Sequence, residues 1–174
     1  NVATARSNFA LVLLERGKLE DAEAEQRKAL AMQEQALGTA HPSVALSHNN
    51  LGQVLMARKA WVDAEVELRQ GMELWEQALG AEHPNVAQAR HNLAKVLLLL
   101  GRGQEALVLA EQAWERRQAD DVLPDQRAAT AFVLARALWA TSTGGAARVR
   151  AKELAERAIE GFTKAGQGED VAAV

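Results

Sequence analysis

The chain's four histidines are its first candidates for chemistry, and they sit in two near-copies of one segment. "EQALGTAHPSVALSHNNLG" runs from Glu34 to Gly52, and "EQALGAEHPNVAQARHNLA" runs from Glu76 to Ala94. Paired imidazoles can bind a metal or relay protons. The spacing points elsewhere. His41 and His83 each precede a proline in a turn and stand 42 residues apart. Helical units stacked side by side would separate them by roughly 10 Å or more, whereas two His ligands of one ion each lie about 2 Å from it. They therefore read as joint markers that pack at a helix entry. His48 and His91 are not equivalent positions, because one step back from His91 is Asn49.

Other constellations are weaker still. "GRG" (Gly101 to Gly103) and "TSTGG" (Thr141 to Gly145) lack both the preceding strand and the Lys-Ser/Thr ending of a phosphate loop. They read as turns between helices. The carboxylates are spread over helix surfaces, with Glu20, Asp21 and Glu105 at helix openings, where negative charge is favoured. No Ser-His-Asp set stands out. The absence of cysteine excludes a disulfide frame, a thiolate metal site and a Cys nucleophile. The expectation is a non-enzyme with no catalytic residue, no metal and no cofactor.

The elements that carry these residues form a repeat. The 42-residue step also links Leu37-Gly38 with Leu79-Gly80, and Asn50-Leu51-Gly52 with Asn92-Leu93-Ala94. A further step back places Asn50-Leu51 on Asn8-Phe9, so the chain opens at a repeat boundary and further sequence is expected before Asn1. A fourth, degenerate copy follows: "LAKVLL" (Leu93 to Leu98) matches "LARALW" (Leu134 to Trp139), and "DDVLPDQ" replaces the "LGxxHP" joint. Each unit reads as two helices. Helix A is expected from about Val44 to Ala57 and helix B from about Ala64 to Leu79, on the spacing of their apolar residues. Glycines 38 and 80 sit where a helix stops, at a left-handed position, and prolines 42 and 84 where the next begins. Small residues recur where the helices must nearly touch: Ala10, Gly52, Ala94 and Ala135 on helix A, and Ala29, Gly71, Ala113 and Ala158 on helix B. With 4% aromatic content and no Tyr, such a core must be built from Leu, Val and Ala. Trp61 and Trp114 are expected in it, and Trp75 is expected partly buried.

This pattern resembles the tetratricopeptide repeat, through its small residues on both helices, the Leu51-Gly52 and Leu93-Ala94 pairs and the turn "RGKLEDA" (Arg16 to Ala22). The 42-residue period and "LGxxHPxVAxxxxNLA" are similar to the kinesin-light-chain type of that repeat. The resemblance implies an all-α, right-handed α-α superhelix of about four helical hairpins, the last one divergent. It spans residues 1–165 as a single array, with repeats at about 1–40, 41–82, 83–124 and 125–165. Residues 166–174 form a tail or the start of a capping helix. The last repeat and the tail "GQGEDVAAV" are also similar to the C-terminal ends of bacterial Ser/Thr protein kinases that carry such repeats.

The resemblance implies a protein-interaction scaffold, with helix A lining a concave groove for a peptide or partner segment. Asn8, Asn50 and Asn92 recur at one helix-A position, where helix propensity does not explain an asparagine. Their amides either hydrogen-bond a bound peptide or bridge neighbouring helices. Asn49, Gln53, Gln88, His91, Lys95 and Arg136 complete the expected groove set. Its later part is positive, which suits an acidic or carboxylate-ended peptide. The alternatives are a regulatory, sensing arm of a bacterial Ser/Thr kinase, or a segment that self-associates through open repeat ends. A net charge of −3 lacks the basic footprint of a nucleic-acid binder, and no apolar run is long enough to span a bilayer. No signal-peptide pattern opens the chain, which fits a cytoplasmic setting.

Overall fold

A computed structural model describes residues 2–118 and 122–166. Asn1, the Asp120-Asp121 start of the fourth joint and all of the expected tail except Gly166 lie outside those residues. The described residues form eight helices: α1 (Val2–Glu15), α2 (Leu19–Leu37), α3 (Pro42–Ala57), α4 (Trp61–Leu79), α5 (Pro84–Leu99), α6 (Gly103–Arg116), α7 (Pro124–Thr141) and α8 (Gly145–Lys164). They group into two compact units, Asn1–Val96 and Leu97–Val174, whose boundary falls inside α5. In the first unit α1 packs on α2, α2 on α3 and α3 on α4. In the second α6 packs on α7 and α7 on α8.

Local chemistry explains the punctuation. Pro42, Pro84 and Pro124 open α3, α5 and α7, where a missing N–H costs nothing. His41 and His83 do more than mark the joint. The His41 Nδ1 accepts from the Ser43 N–H at 3.1 Å, and the His83 Nδ1 accepts from the Asn85 N–H at 3.1 Å. Each imidazole thus satisfies one orphan donor of a helix start, a role different from packing on a neighbouring unit. Gly38 and Gly80 end α2 and α4 at φ 82 with ψ 154 and φ 84 with ψ 155. That is not the left-handed helical region expected from sequence. It is an extended, positive-φ region that glycine alone occupies without strain.

Helix contacts need the small residues. A Cβ added at Gly52 would stand 2.5 Å from Leu68 Cγ, and one at Gly71 would stand 2.9 Å from the Ala45 carbonyl oxygen. Gly161, outside the recurring set, plays the same part for α8, with Ala128 Cβ at 2.7 Å. The buried core is Leu, Val and Ala, including Leu51, Leu55, Leu68, Leu93 and Leu134. Trp61 and Trp114 are only half-buried. Trp75 goes the other way and is 2% exposed, because its ring packs with Ala45, Val86 and Ala89.

Candidate functional site

The A helices of the first unit carry all of the expected polar set but Arg136, and half of those residues face inward. Asn50 Nδ2 donates to Ser7 Oγ at 3.3 Å, and Asn92 Nδ2 donates to Asn49 Oδ1 at 3.0 Å. Gln88 Nε2 donates to Asn92 Oδ1 at 3.2 Å. Asparagines 50 and 92 therefore bridge each A helix to the one before. Asn49, Asn50, Asn92 and His91 are buried, at 3% to 8% exposed. Asn8, at the start of the series, is exposed, and Gln53, Gln88 and Lys95 are half-buried. Residues three or four apart share a helix face, so Gln53 stands beside Asn50, and Gln88 and Lys95 flank Asn92. Arg136, in the second unit, is exposed on α7.

Beneath this face runs a polar network that the sequence reading missed. Ser7 Oγ donates to Gln26 Oε1 at 3.0 Å, and Gln26 Nε2 donates to the Ser47 carbonyl at 3.1 Å. Ser47 Oγ in turn donates to Gln33 Oε1 at 2.8 Å. With Asn50 it ties α1, α2 and α3 together in the interior, and Gln26 is fully buried. The signal was present: Gln26 stands where the next two repeats have Leu68 and Ala110.

Charged groups brace the hairpins. Arg6 pairs with Glu25, and at the equivalent place one repeat on His48 Nδ1 meets Glu67 Oε2 at 2.7 Å. The third repeat has Leu109 there, and Arg90 turns instead to Glu76 at 2.8 Å. Glu23 on α2 pairs with Arg58 at the end of α3 and with Arg27. Burial pushes the Glu23 carboxyl up, but the hydrogen bonds from Arg27 and Arg58 prevail and hold it below its ordinary range. Among the described residues no group of three or more His, Cys, Asp or Glu side chains is placed to hold a metal, and no helix is long and apolar enough to cross a membrane.

A family model described as tetratricopeptide repeat matches residues 1–65 and 44–119. The chain belongs to the tetratricopeptide repeat family. Repeats of this family are generally protein-interaction scaffolds and typically not catalysts. Among solved structures, the chain is similar to BtubC (BKLC) from P. vanneervenii, with TM-score 0.80 and 19% identity over 94% of this chain. It spans 64% of that chain's length. It is also similar to a putative kinesin light chain from Podosopora anserina with nearly identical TPR-like repeats, with TM-score 0.73 and 20% identity over 98% of this chain and 91% of that one. A point variant of the same protein matches at TM-score 0.73 and 21% identity. These likenesses show the fold, an all-α helical repeat of the kinesin-light-chain kind. No curated protein sequence matches.

Within the tetratricopeptide frame one helix-B position varies most tellingly. Gln33, Trp75 and Arg117 are equivalent, and all are buried. Each reaches an A helix. Gln33 bonds Ser47 of α3, while Trp75 packs on Ala89 of α5 and donates from Nε1 to the Pro42 carbonyl at 3.2 Å. Arg117 donates to Thr130 Oγ1 at 2.7 Å and to the Gln126 carbonyl at 2.8 Å on α7. Burial holds the Arg117 guanidinium below its ordinary range, and Asp125 offsets only part of that fall.

Proposed function

We propose that this tetratricopeptide chain binds an extended peptide or partner segment along the A-helix face of its first unit, as an arm of a larger protein. The observation that carries the reading is the contrast on that face. Asn50 and Asn92 are bonded to neighbouring A helices and nearly buried, while Asn8, Gln53, Gln88 and Lys95 keep surface beside them. A recurring amide lock beneath a rim of accessible donors is a preorganised platform, which lowers the ordering cost of binding. Asn49, Asn50, Asn92 and His91 act in this reading by holding the platform, and the accessible four meet the ligand. Lys95 favours an acidic or carboxylate-ended segment.

The test pairs Gln53→Ala plus Lys95→Glu with wild type, in titrations of peptides selected on the wild-type chain. Loss of affinity with an unchanged helical spectrum supports the reading. Unchanged affinity removes it. The regulatory-arm reading, as part of a cytoplasmic signalling protein, is tested by whether the gene that encodes this chain also encodes a kinase domain. Light scattering at two concentrations tests self-association.

A further inference from the structure

The second repeat carries a polar cavity whose lining shares no residue with the A-helix platform. It measures about 350 Å³ and lies where the end of α2 meets α3 and α4. Glu34 and Glu73 line it, with Gln70, Gln77 and the ring of His48. Among the described residues no arginine or lysine lines it, and Glu73 has no cationic partner. Glu34 lies in the last turn of α2 and Gln77 in the last turn of α4, and neither turn has a basic residue. Helix C-termini carry partial negative charge and favour a cation beside them. Two carboxylates and two helix ends thus give the cavity one sign. The helices around it are inner members of the array, so it does not depend on what precedes α1 or follows α8.

His48, 8% exposed, supplies the second observation. Its Nδ1 meets Glu67 Oε2 at 2.7 Å, while its Nε2 stands 3.9 Å from Glu34 Oε1, too far for a hydrogen bond. A carboxylate only accepts, so Nδ1 carries a proton, and Nε2 of the neutral ring offers a lone pair. The neighbouring repeats show which group fits beside it. Arg6 and Arg90 are the equivalents of His48. Arg6 pairs with Glu25, the equivalent of Glu67, and Arg90 pairs at 2.8 Å with Glu76, the equivalent of Glu34. The second repeat has both carboxylates and no arginine at that place, and its shorter imidazole satisfies one of them. We propose that the cavity receives the guanidinium of an arginine in a peptide segment of a partner protein, bonded by Glu34, Glu73 and His48 Nε2. A guanidinium brings five donors in one plane, enough for both carboxylates and the ring. The arginine belongs to a chain because free arginine carries an α-carboxylate, and the lining holds no arginine or lysine to receive it.

The probe is a capped peptide with one arginine between pairs of alanines, titrated into the isotope-labelled full chain and followed by nuclear magnetic resonance, which detects weak binding. Saturable shifts are expected in the His48 ring and in the side-chain amides of Gln70 and Gln77. A lysine peptide should bind more weakly, because an ammonium lacks the planar fork. A peptide with uncharged citrulline should not bind. Glu34→Gln plus Glu73→Gln should weaken the arginine peptide at least about tenfold, the scale of one lost hydrogen bond to a charged group. Glu34 is half-buried and Glu73 exposed, and circular dichroism confirms that the variant keeps its helices. Gln53→Ala plus Lys95→Glu should leave this binding unchanged, so the platform and the cavity can fail separately. Absence of saturable shifts at these three residues, equal affinity for the lysine peptide, or affinity indifferent to the carboxylate pair overturns the proposal. So does tighter binding of free arginine than of the peptide, because the ligand would then be a small molecule. A concentration-dependent dimer lost in the Glu34→Gln plus Glu73→Gln variant would assign the cavity to a second copy instead.

Discussion

Gln33 and Trp75 occupy the same place on helix B, one repeat apart, and both face the A helix that follows. Around Gln33 the junction is polar and interior: Gln26, Ser7, Ser47 and Asn50 bond one another across α1, α2 and α3. Around Trp75 it is apolar, with Ala45, Val86 and Ala89 against the ring and Met72 and Leu74 behind it. The polar junction gains little net free energy per bond but demands that every partner be present. The apolar junction gains from area and tolerates approximate partners. A polar junction accepts one neighbour only, and an apolar one supplies adhesion. An array of near-identical repeats needs both if its hairpins are to stack in one order.

The largest effect should come from the adhesive side. Trp75→Ala removes a fully buried ring whose cavity the alanines around it cannot fill, and the expected loss is about 3–5 kcal/mol. Chemical denaturation measures it. A loss under about 1 kcal/mol would mean that the apolar junction is not what holds these hairpins together. Next comes the polar side. Gln26→Ala takes the acceptor from Ser7 Oγ and the Nε2 donor from the Ser47 carbonyl, at an expected cost of about 1–3 kcal/mol. The comparison breaks if Gln26→Leu, which copies Leu68 of the next repeat, restores wild-type stability, because the network would then carry no requirement of its own.

The two junctions were unequally legible in the sequence. Period, helix pairs and close contacts could be read directly, since backbone approach admits only small residues there, glycine at 52 and 71 and alanine at most of their equivalents. The bridging asparagines were visible as a recurrence, but their direction was not. Whether Asn50 points to solvent or to Ser7 depends on the rotation of α3 against α1, which no spacing rule fixes to within one side chain. Trp75 was placed too near the surface because its repeat equivalents are Gln33 and Arg117, and polar equivalents suggest exposure. Both are buried through specific bonds, so a polar residue at this helix-B position does not signal exposure.

A smaller contrast separates the two hairpins that contribute these junctions. Gly17 turns the first at φ 71, and Lys59 turns the second at φ 61, the single non-glycine residue with positive φ among the described residues. A side chain in that region costs about 1–2 kcal/mol, and glycine's extra unfolded-state entropy costs about 0.5–1 kcal/mol in return. Lys59→Gly should therefore raise stability by about 0.5–1 kcal/mol, seen as a higher denaturation midpoint. A fall would place the strain elsewhere.

The smallest expected effect is also the one that separates the junctions by pH. The polar junction is flanked by the pair between Glu23 on α2 and Arg58 at the end of α3. Because the Glu23 carboxyl is held below its ordinary range in the folded chain, the unfolded chain takes up its proton first on acidification. The stability it contributes is present above the ordinary carboxylate range and disappears as pH falls through the depressed, folded value. Arg58 is partly exposed, so solvent screening keeps the contribution small. Arg58→Met should flatten the acid side of the stability curve slightly and leave the cost of Trp75→Ala unchanged, since Trp75 packs among uncharged side chains. If Arg58→Met and Trp75→Ala prove strongly non-additive, the two junctions are one cooperative element, and the division between a selective seam and an adhesive one fails.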